Sequence, residues 1–297
     1  MKRHGRWLLL LCAALLCMPG AAAARAPQGL TLSASHYPAY LAALQIAGDR
    51  ADVRIETFLQ PQAGYLEDFH LSELDWARAQ EADLLVLMGG GLEDFLPVFA
   101  VEGGKPVLVA GEHIARIPGR VLDPDEDTEP AENPYVWLSP ARWGQVVDGV
   151  AAGLVHVDAA QAEAWIAAND AAQARIAAVG AALTEALRPH AGRQVIVMHP
   201  ALAYLAEDAG LSVVLTLERD PALLPLAGDL EDIAQLLAAF PDAVLLLEDT
   251  APASLRGIGG RQTALLDVLC QGIRDGDAQA WERAMRRNIA ALTEALR

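Results

Sequence analysis

Five side chains of this 297-residue chain stand where they could do chemistry: Glu67, His70, Tyr135, His199 and Asp267. Each follows a short apolar run that reads as a strand. Glu67 and His70 come after residues 53–58, and Tyr135 closes the loop after 107–110. His199 sits at the carboxyl end of 194–198, and Asp267 at the carboxyl end of 264–266. In open α/β sheets, ligands bind in the crevice beyond the carboxyl ends of the strands. Loops from two parts of the chain are therefore expected to open toward one crevice and close around one ligand.

The elements that must position these residues are legible as a rhythm. Strands are expected at 30–34, 53–58, 84–88, 107–110, 194–198, 212–217, 243–247 and 264–266, with helical patterns between them such as 76–81, 200–209 and 230–240. Apolar strands separated by helices indicate buried parallel sheets. Residues 159–188 break the rhythm: no Pro, only Gly180, many Ala, and Trp165, Ile166, Ile176, Val179, Leu183 and Leu187 at near-helical spacing. A helix of that length, roughly 45 Å at 1.5 Å per residue, is too long for a crossover within one sheet. Four strands precede it and four follow. The expected fold is α/β, two lobes with parallel four-stranded sheets linked by one long rigid helix. The divisions expected are a signal peptide at 1–24, an N-terminal lobe at 25–158, the linking helix at 159–189 and a C-terminal lobe at 190–297.

Residues 1–24 carry Lys2, Arg3 and Arg6, a short apolar run from Trp7 to Leu16, and alanines 21–24 at a cleavage position. That run is too short to span a bilayer, and no later stretch reaches the roughly 20 apolar residues a span needs. Leu16 before Cys17 does not suit a lipid-anchor site. The mature protein is expected to be periplasmic, not membrane-spanning and monomeric. Cleavage removes three cations and no acid from a formal charge of −17, which argues against nucleic acid and anionic membrane as partners. It also removes Cys12 and Cys17, leaving Cys270 without an internal disulfide partner. Residues Asp123 to Asn133 hold six acids and two prolines and read as a solvated surface loop.

Other candidates carry plainer expectations. His36 and His113 follow strands and could face the crevice, with surface or hydrogen-bonded roles expected ahead of ligation; His156 and His190 flank the long helix as structural residues. Glu93 and Glu248 also follow strands, with helix-start or supporting roles ahead of direct ligation. Gly89-Gly90-Gly91 precede a helix expected to open at Leu92. Asp94 occupies the place where a G-x-G-x-x-G phosphate loop needs its last glycine, so a tight turn is expected.

The segment from Glu67 to Leu96 resembles the family of solute-binding proteins of zinc and manganese ABC importers, whose pattern is P-H-x-Y-x-x-x-x-S-D, a helix, then A-D-L-V-V-x-N-G-x-x-L-E. Phe69, Asp75, Ala82-Asp83, Gly89 and Glu93 carry that match, with Glu67 at the family's first His ligand. Asn133-Pro134-Tyr135-Val136-Trp137-Leu138-Ser139-Pro140 resembles N-P-H-x-W-L-x-P with Tyr135 at the His. His199-Pro200-Ala201-Leu202-Ala203-Tyr204, followed by Gly210-Leu211, resembles H-x-x-x-x-Y-x-x-x-x-G-L. Leu265-Leu266-Asp267 resembles the closing L-D, and Arg286-Arg287-Asn288-Ile289 the Y-N-L helix. The resemblance implies a ligand set of Glu67, Tyr135, His199 and Asp267. His70, three residues after Glu67, is an alternative imidazole.

One nitrogen and three oxygen ligands favour harder ions over zinc, so manganese or iron. The implied function is capture of a transition-metal ion (zinc, manganese or iron) for an ABC permease, with no organic cofactor and only small closure between lobes. Affinity is expected to fall between about pH 7 and pH 5. The alternative is a paralogue that has lost metal binding and binds another small solute or a partner protein. No enzyme is expected: the chain has no G-x-S-x-G elbow, no H-E-x-x-H and no mature Cys beside a His, and Ser35 next to His36 is only a dipeptide.

Overall fold

A computed structural model describes residues 29–48, 50–58, 72–94, 96, 106–119, 132–217, 227–270 and 276–297. Glu67, His70, the export signal assigned to 1–24 and most of the acidic loop lie outside the described residues. All eight expected strands are present: β1 (Leu30–Ala34), β2 (Val53–Thr57), β3 (Leu84–Leu87), β4 (Val107–Val109), β5 (Gln194–Val197), β6 (Ser212–Thr216), β7 (Val244–Glu248) and β8 (Thr263–Leu266). They form two four-stranded sheets, ordered β2-β1-β3-β4 and β6-β5-β7-β8. Every pairing is parallel, with Leu32 between Ile55 and Leu84 in the first sheet and Val195 between Val213 and Val244 in the second. β3 and β7 are buried along their full length, as strands covered on both faces must be.

Seven α-helices are described: α1 (Tyr37–Ala47), α2 (Glu73–Glu81), α3 (Pro140–Val157), α4 (Ala162–Leu187), α5 (Ala201–Asp208), α6 (Ala227–Ala238) and α7 (Ala280–Ala295). α2 starts at a capping box in which Ser72 and Asp75 satisfy each other's backbone N–H. α4 is the long linking helix, with short 3-10 turns at both ends. Its 26 residues span about 39 Å. Trp165, Ala172, Ile176, Val179, Leu183 and Leu187 form its buried stripe. Ile166, expected in that stripe, is 54% exposed, because it lies one residue, or about 100°, off the buried face.

The lobes are not separate globules. One continuous core runs from Leu32 in β1 through α3 and α4 to Leu266 in β8 and Leu292 in α7. α7 returns from the second sheet to pack on the first lobe. Trp281 of α7 stacks on Trp143 of α3, with centroids 5.4 Å apart and planes 11° from parallel. Beneath the stack, Gln45 of α1 accepts from Trp143 Nε1 at 2.7 Å and donates to Glu282 of α7 at 3.0 Å. Arg175 of α4 donates to the same carboxylate at 2.9 Å. Among the described residues, no helix is long and apolar enough to cross a membrane.

Candidate functional site

Residues just past the carboxyl ends of β1 and β5 are linked by a chain of ring contacts, His36 to Trp137 to Tyr135 to His199. In each order the first strand of the lobe lies second, so the crossovers diverge on either side of it. Such a point is where open sheets bind ligands. β5 delivers His199, two residues past its last residue, Val197. The ring is buried, and its Nδ1 accepts the N–H of Ala201, the first residue of α5, at 3.1 Å. A backbone N–H can only donate, so the neutral ring carries its proton on Nε2. Burial pushes the imidazole down to about 4, and it is neutral at physiological pH.

Tyr135 is brought to His199 by Asn133. The Asn133 side chain accepts from Tyr135 N–H at 3.1 Å and donates to the carbonyl of Pro200, the residue after His199, at 2.9 Å. Its own carbonyl accepts the Tyr204 hydroxyl at 2.5 Å. Asn133 is buried, and with three bonds it ties the loop of one lobe to the helix start of the other. The rings of Tyr135 and His199 meet edge to face, 5.2 Å apart. Tyr135 meets Trp137 in the same way at 5.4 Å.

The backbone next to Asp267 is tied to Trp137. Trp137 Nε1 donates to the carbonyl of Val268, the next residue, at 2.8 Å. Asn288 of α7 clamps the Asp267 peptide from both sides, accepting from its N–H and donating to its carbonyl, each at 2.8 Å. The carboxylate accepts Leu269 N–H at 3.0 Å, and Leu269 is held at a φ of 58°, a conformation non-glycine residues avoid. Its other oxygen meets the guanidinium of Arg287 at 3.2 Å. That arginine stands where the resemblance places a tyrosine.

The N-terminal lobe contributes a second buried polar group. Ser35 and His36 follow β1, and Glu93 follows the triple glycine after β3. Gly89, Gly90 and Gly91 all have positive φ, and a Cβ on Gly89 would stand 2.5 Å from Val109. This is the expected tight turn. Residues 90–94 form a turn, however, and not the helix expected from Leu92. The turn swings Glu93 back onto the end of β3, where its carboxylate accepts Met88 N–H at 2.9 Å, Gly89 N–H at 2.8 Å and the Ser35 hydroxyl at 2.6 Å. Burial pushes the Glu93 carboxyl upward against the pull of these three donors. His36 Nδ1 lies 2.8 Å from Ser35 Oγ, and the ring rests edge-on against Trp137 at 5.6 Å. Burial depresses this imidazole to about 3.

Tyr135 and His199 are thus in contact, and Trp137 bonds the carbonyl of Val268, the residue after Asp267, while Glu67 and His70 lie outside the described residues. Among the described residues, no group of three or more His, Cys, Asp or Glu is placed to hold a metal ion. His113 and His156 are exposed, and His190 is half-buried. Glu248 is buried at the end of β7 and accepts from Thr250 Oγ1 at 3.4 Å. Ser35, His36 and Glu93 do not make a nucleophile–base–acid chain. The acid takes the serine's own proton, the histidine is on the far side, and Ser35 is fully buried. His36 takes the hydrogen-bonded role expected of it, and the ring lies against Trp137. Its one sequence signal is its offset: it lies two residues past the end of its strand, as His199 does in the other lobe.

Comparison with known proteins follows the same geometry. A profile of the family described as zinc-uptake complex component A, periplasmic, matches residues 33–295. The zinc-binding lipoprotein AdcA of Streptococcus pneumoniae serotype 4 is 25% identical over 311 residues, covering 99% of this chain and 61% of that protein. This chain therefore spans less than two thirds of that relative. The iron-binding protein YfeA of Yersinia pestis is 31% identical over 176 residues, 58% of this chain and 54% of YfeA. Among solved structures, the solute-binding protein FpvC of Pseudomonas aeruginosa in complex with Mn2+ superimposes with a TM-score of 0.76 at 22% identity, covering 90% of this chain and 98% of that one.

Proposed function

We propose that this chain, which belongs to the zinc-uptake complex component A family, captures a transition-metal ion outside the cytoplasm and passes it to the permease of an ABC importer. The observation that carries this reading is the meeting of Tyr135 and His199, one from each lobe, at the strand ends where such a cargo must sit. Asp267 supplies a buried carboxylate from the second lobe, and Glu67 a second carboxylate from the first. Relatives named for zinc and for iron, and a structural neighbour solved with Mn2+, fit a site whose ligand types vary between members. With Glu67, Tyr135 and Asp267 as oxygen ligands and one imidazole, the site suits manganese or iron ahead of zinc. Export by cleavage of residues 1–24 and residence in the periplasm complete the proposal. Competitive titration of the purified protein with Mn2+, Fe3+ and Zn2+ tests it. Tighter binding of manganese or iron is expected, and a preference for zinc overturns the oxygen-ligand assignment.

One observation favours the second reading, a paralogue that has given up metal. Arg287 pairs with Asp267 and offsets the charge a cation needs. Elemental analysis of untagged protein recovered from its export compartment separates the two. Stoichiometric metal supports capture, and metal-free protein that also refuses metal in titration supports the paralogue.

A further inference from the structure

We infer that the first lobe carries a binding site for the carboxylate of a small organic acid, built from the Arg116 guanidinium and the turn Gly89-Gly90-Gly91. The site goes beyond the metal-capture reading and does not depend on it.

Arg116 is a fixed cation that the fold buries and barely satisfies. Its side chain is 7% exposed. A guanidinium carries five N–H donors and keeps its charge at any physiological pH. Here one donor is spent, from Nη2 to the carbonyl of Gly111 at 2.6 Å. Nε is shut off from solvent and has no hydrogen-bond partner. Nη1 faces only the Glu132 carboxylate, 3.7 Å away on a side chain 71% exposed. That separation is beyond hydrogen-bond reach, and water screens the pair. A buried charge is costly unless it is paired and hydrogen-bonded, and buried donors are seldom left idle. A purely bracing role accounts for one bond of the five.

The group lies where an open sheet takes its ligand, past the carboxyl ends of adjacent strands, β3 and β4. A Cβ on Gly90 would stand 2.7 Å from Nε and 3.0 Å from Cζ, so only glycine lets the guanidinium rest there. The tight turn alone gives Gly90 no such reason. Beside the guanidinium the turn is open. Gly90 is exposed, and among the described residues the N–H groups of Gly90 and Gly91 make no hydrogen bond. Ile117, the next residue after Arg116, donates its N–H to the Tyr204 hydroxyl of the second lobe at 3.2 Å. Arg116 therefore stands beside the contact between lobes.

The surroundings select the anion. A guanidinium holds a carboxylate through two parallel N–H bonds, and the open turn offers further donors. Four acids lie in this neighbourhood. Glu93 is already engaged by Ser35 and by two backbone N–H groups. Asp94, Glu112 and Glu132 are exposed. Their field disfavours a dianion such as phosphate more than the single charge of a carboxylate.

Spectra of the full chain without metal test this. In a ¹H–¹⁵N titration with sodium acetate, the Arg116 Nε–H, which reports on the whole guanidinium, should move to a plateau together with the Gly90 and Gly91 amides. Sodium chloride at equal ionic strength should leave all three in place, and inorganic phosphate should bind more weakly than acetate. Arg116→Lys keeps the charge and loses the planar fork, so acetate should bind it about tenfold more weakly. Signals that stay put in acetate, or that move equally in chloride, overturn the site. Tighter binding of phosphate overturns the choice of carboxylate. The spectra need no variant, so a substitution that fails to fold does not blunt the test. Failure here leaves metal capture standing, since that reading is decided by its own titration.

Discussion

At the scale of single residues, two buried histidines set the response to acid. His36 is depressed to about 3 and His199 to about 4, both by burial, from an ordinary value near 6.5. Between those values the unfolded chain takes up protons that the native chain refuses. Stability therefore rises with pH across this window and is lost as pH falls from about 6.5 toward 4, by an amount on the order of a few kcal/mol per ring. Glu93, pushed upward by burial, acts with the opposite sign, its contribution being lost as pH rises, and so offsets part of the slope. Urea midpoints of chelator-treated protein from pH 7 to 4.5 should fall, and the His36→Asn, His199→Asn double variant should flatten the curve. A constant midpoint in the unsubstituted protein would contradict the burial of both rings. The same values revise an expectation: imidazoles neutral at pH 5 do not weaken metal binding between pH 7 and 5, so the loss belongs nearer pH 4. Arg287, 61% exposed, opposes metal at Asp267 only weakly. Its replacement by Gln should raise affinity by about two- to fivefold in titration, the range of a solvent-screened pair.

At the scale of elements, the short segment that carries Tyr135 depends on one amide. Asn133→Ala removes the side-chain bonds that Asn133 makes to the Tyr135 N–H and the Pro200 carbonyl. The expected cost is about 2–4 kcal/mol in urea unfolding, with weaker metal binding, because Tyr135 loses its register on His199. Asn133→Asp, which keeps one acceptor but no donor, should fall between. Much of this layer was legible. The eight strands announced themselves as apolar β-branched runs, and the long helix as an alanine-rich stretch without proline. α3 was not, since Gly144, Gly149 and Gly153 dilute its helical signal. The structure gives a reason for them: a Cβ on Gly149 would lie 2.9 Å from the Ala110 carbonyl and one on Gly153 2.8 Å from Leu108 of β4, so the helix lies close against β4, while one on Gly144 would meet Gln173 of α4 at 2.8 Å. The places of His199 and Asp267 followed from strand ends alone. The proton on each histidine did not, because tautomers depend on Ser35, Glu93 and Ala201 meeting them in space. Nor did the Arg287 pair, which joins residues 20 apart across the end of β8 and the face of α7.

At the scale of the whole molecule, the lobes share a core, and this limits how they can move. A hinge requires an interface that slides or parts, whereas here Trp143 stacks on Trp281 and both rings are fully buried. Beneath them, hydrogen bonds of Gln45 and of Glu282 Oε1 join α1, α3, α4 and α7. Opening the lobes would expose two indoles and strand a carboxylate, a cost far above the few kcal/mol that differential binding of one ion supplies. The response to cargo should therefore be confined to loops at the strand ends, where His36, Tyr135 and Asp267 reside. Small-angle scattering of chelator-treated and metal-loaded protein should give the same radius of gyration within error. Trp281→Ala should lower stability by about 3–5 kcal/mol through the cavity it leaves. If that variant, still folded, shows a radius that shrinks on adding metal while the unsubstituted protein does not, the stack is what holds the lobes at a fixed angle. A comparable contraction in the unsubstituted protein would mean that the shared core yields, and that capture works by closing around the ion.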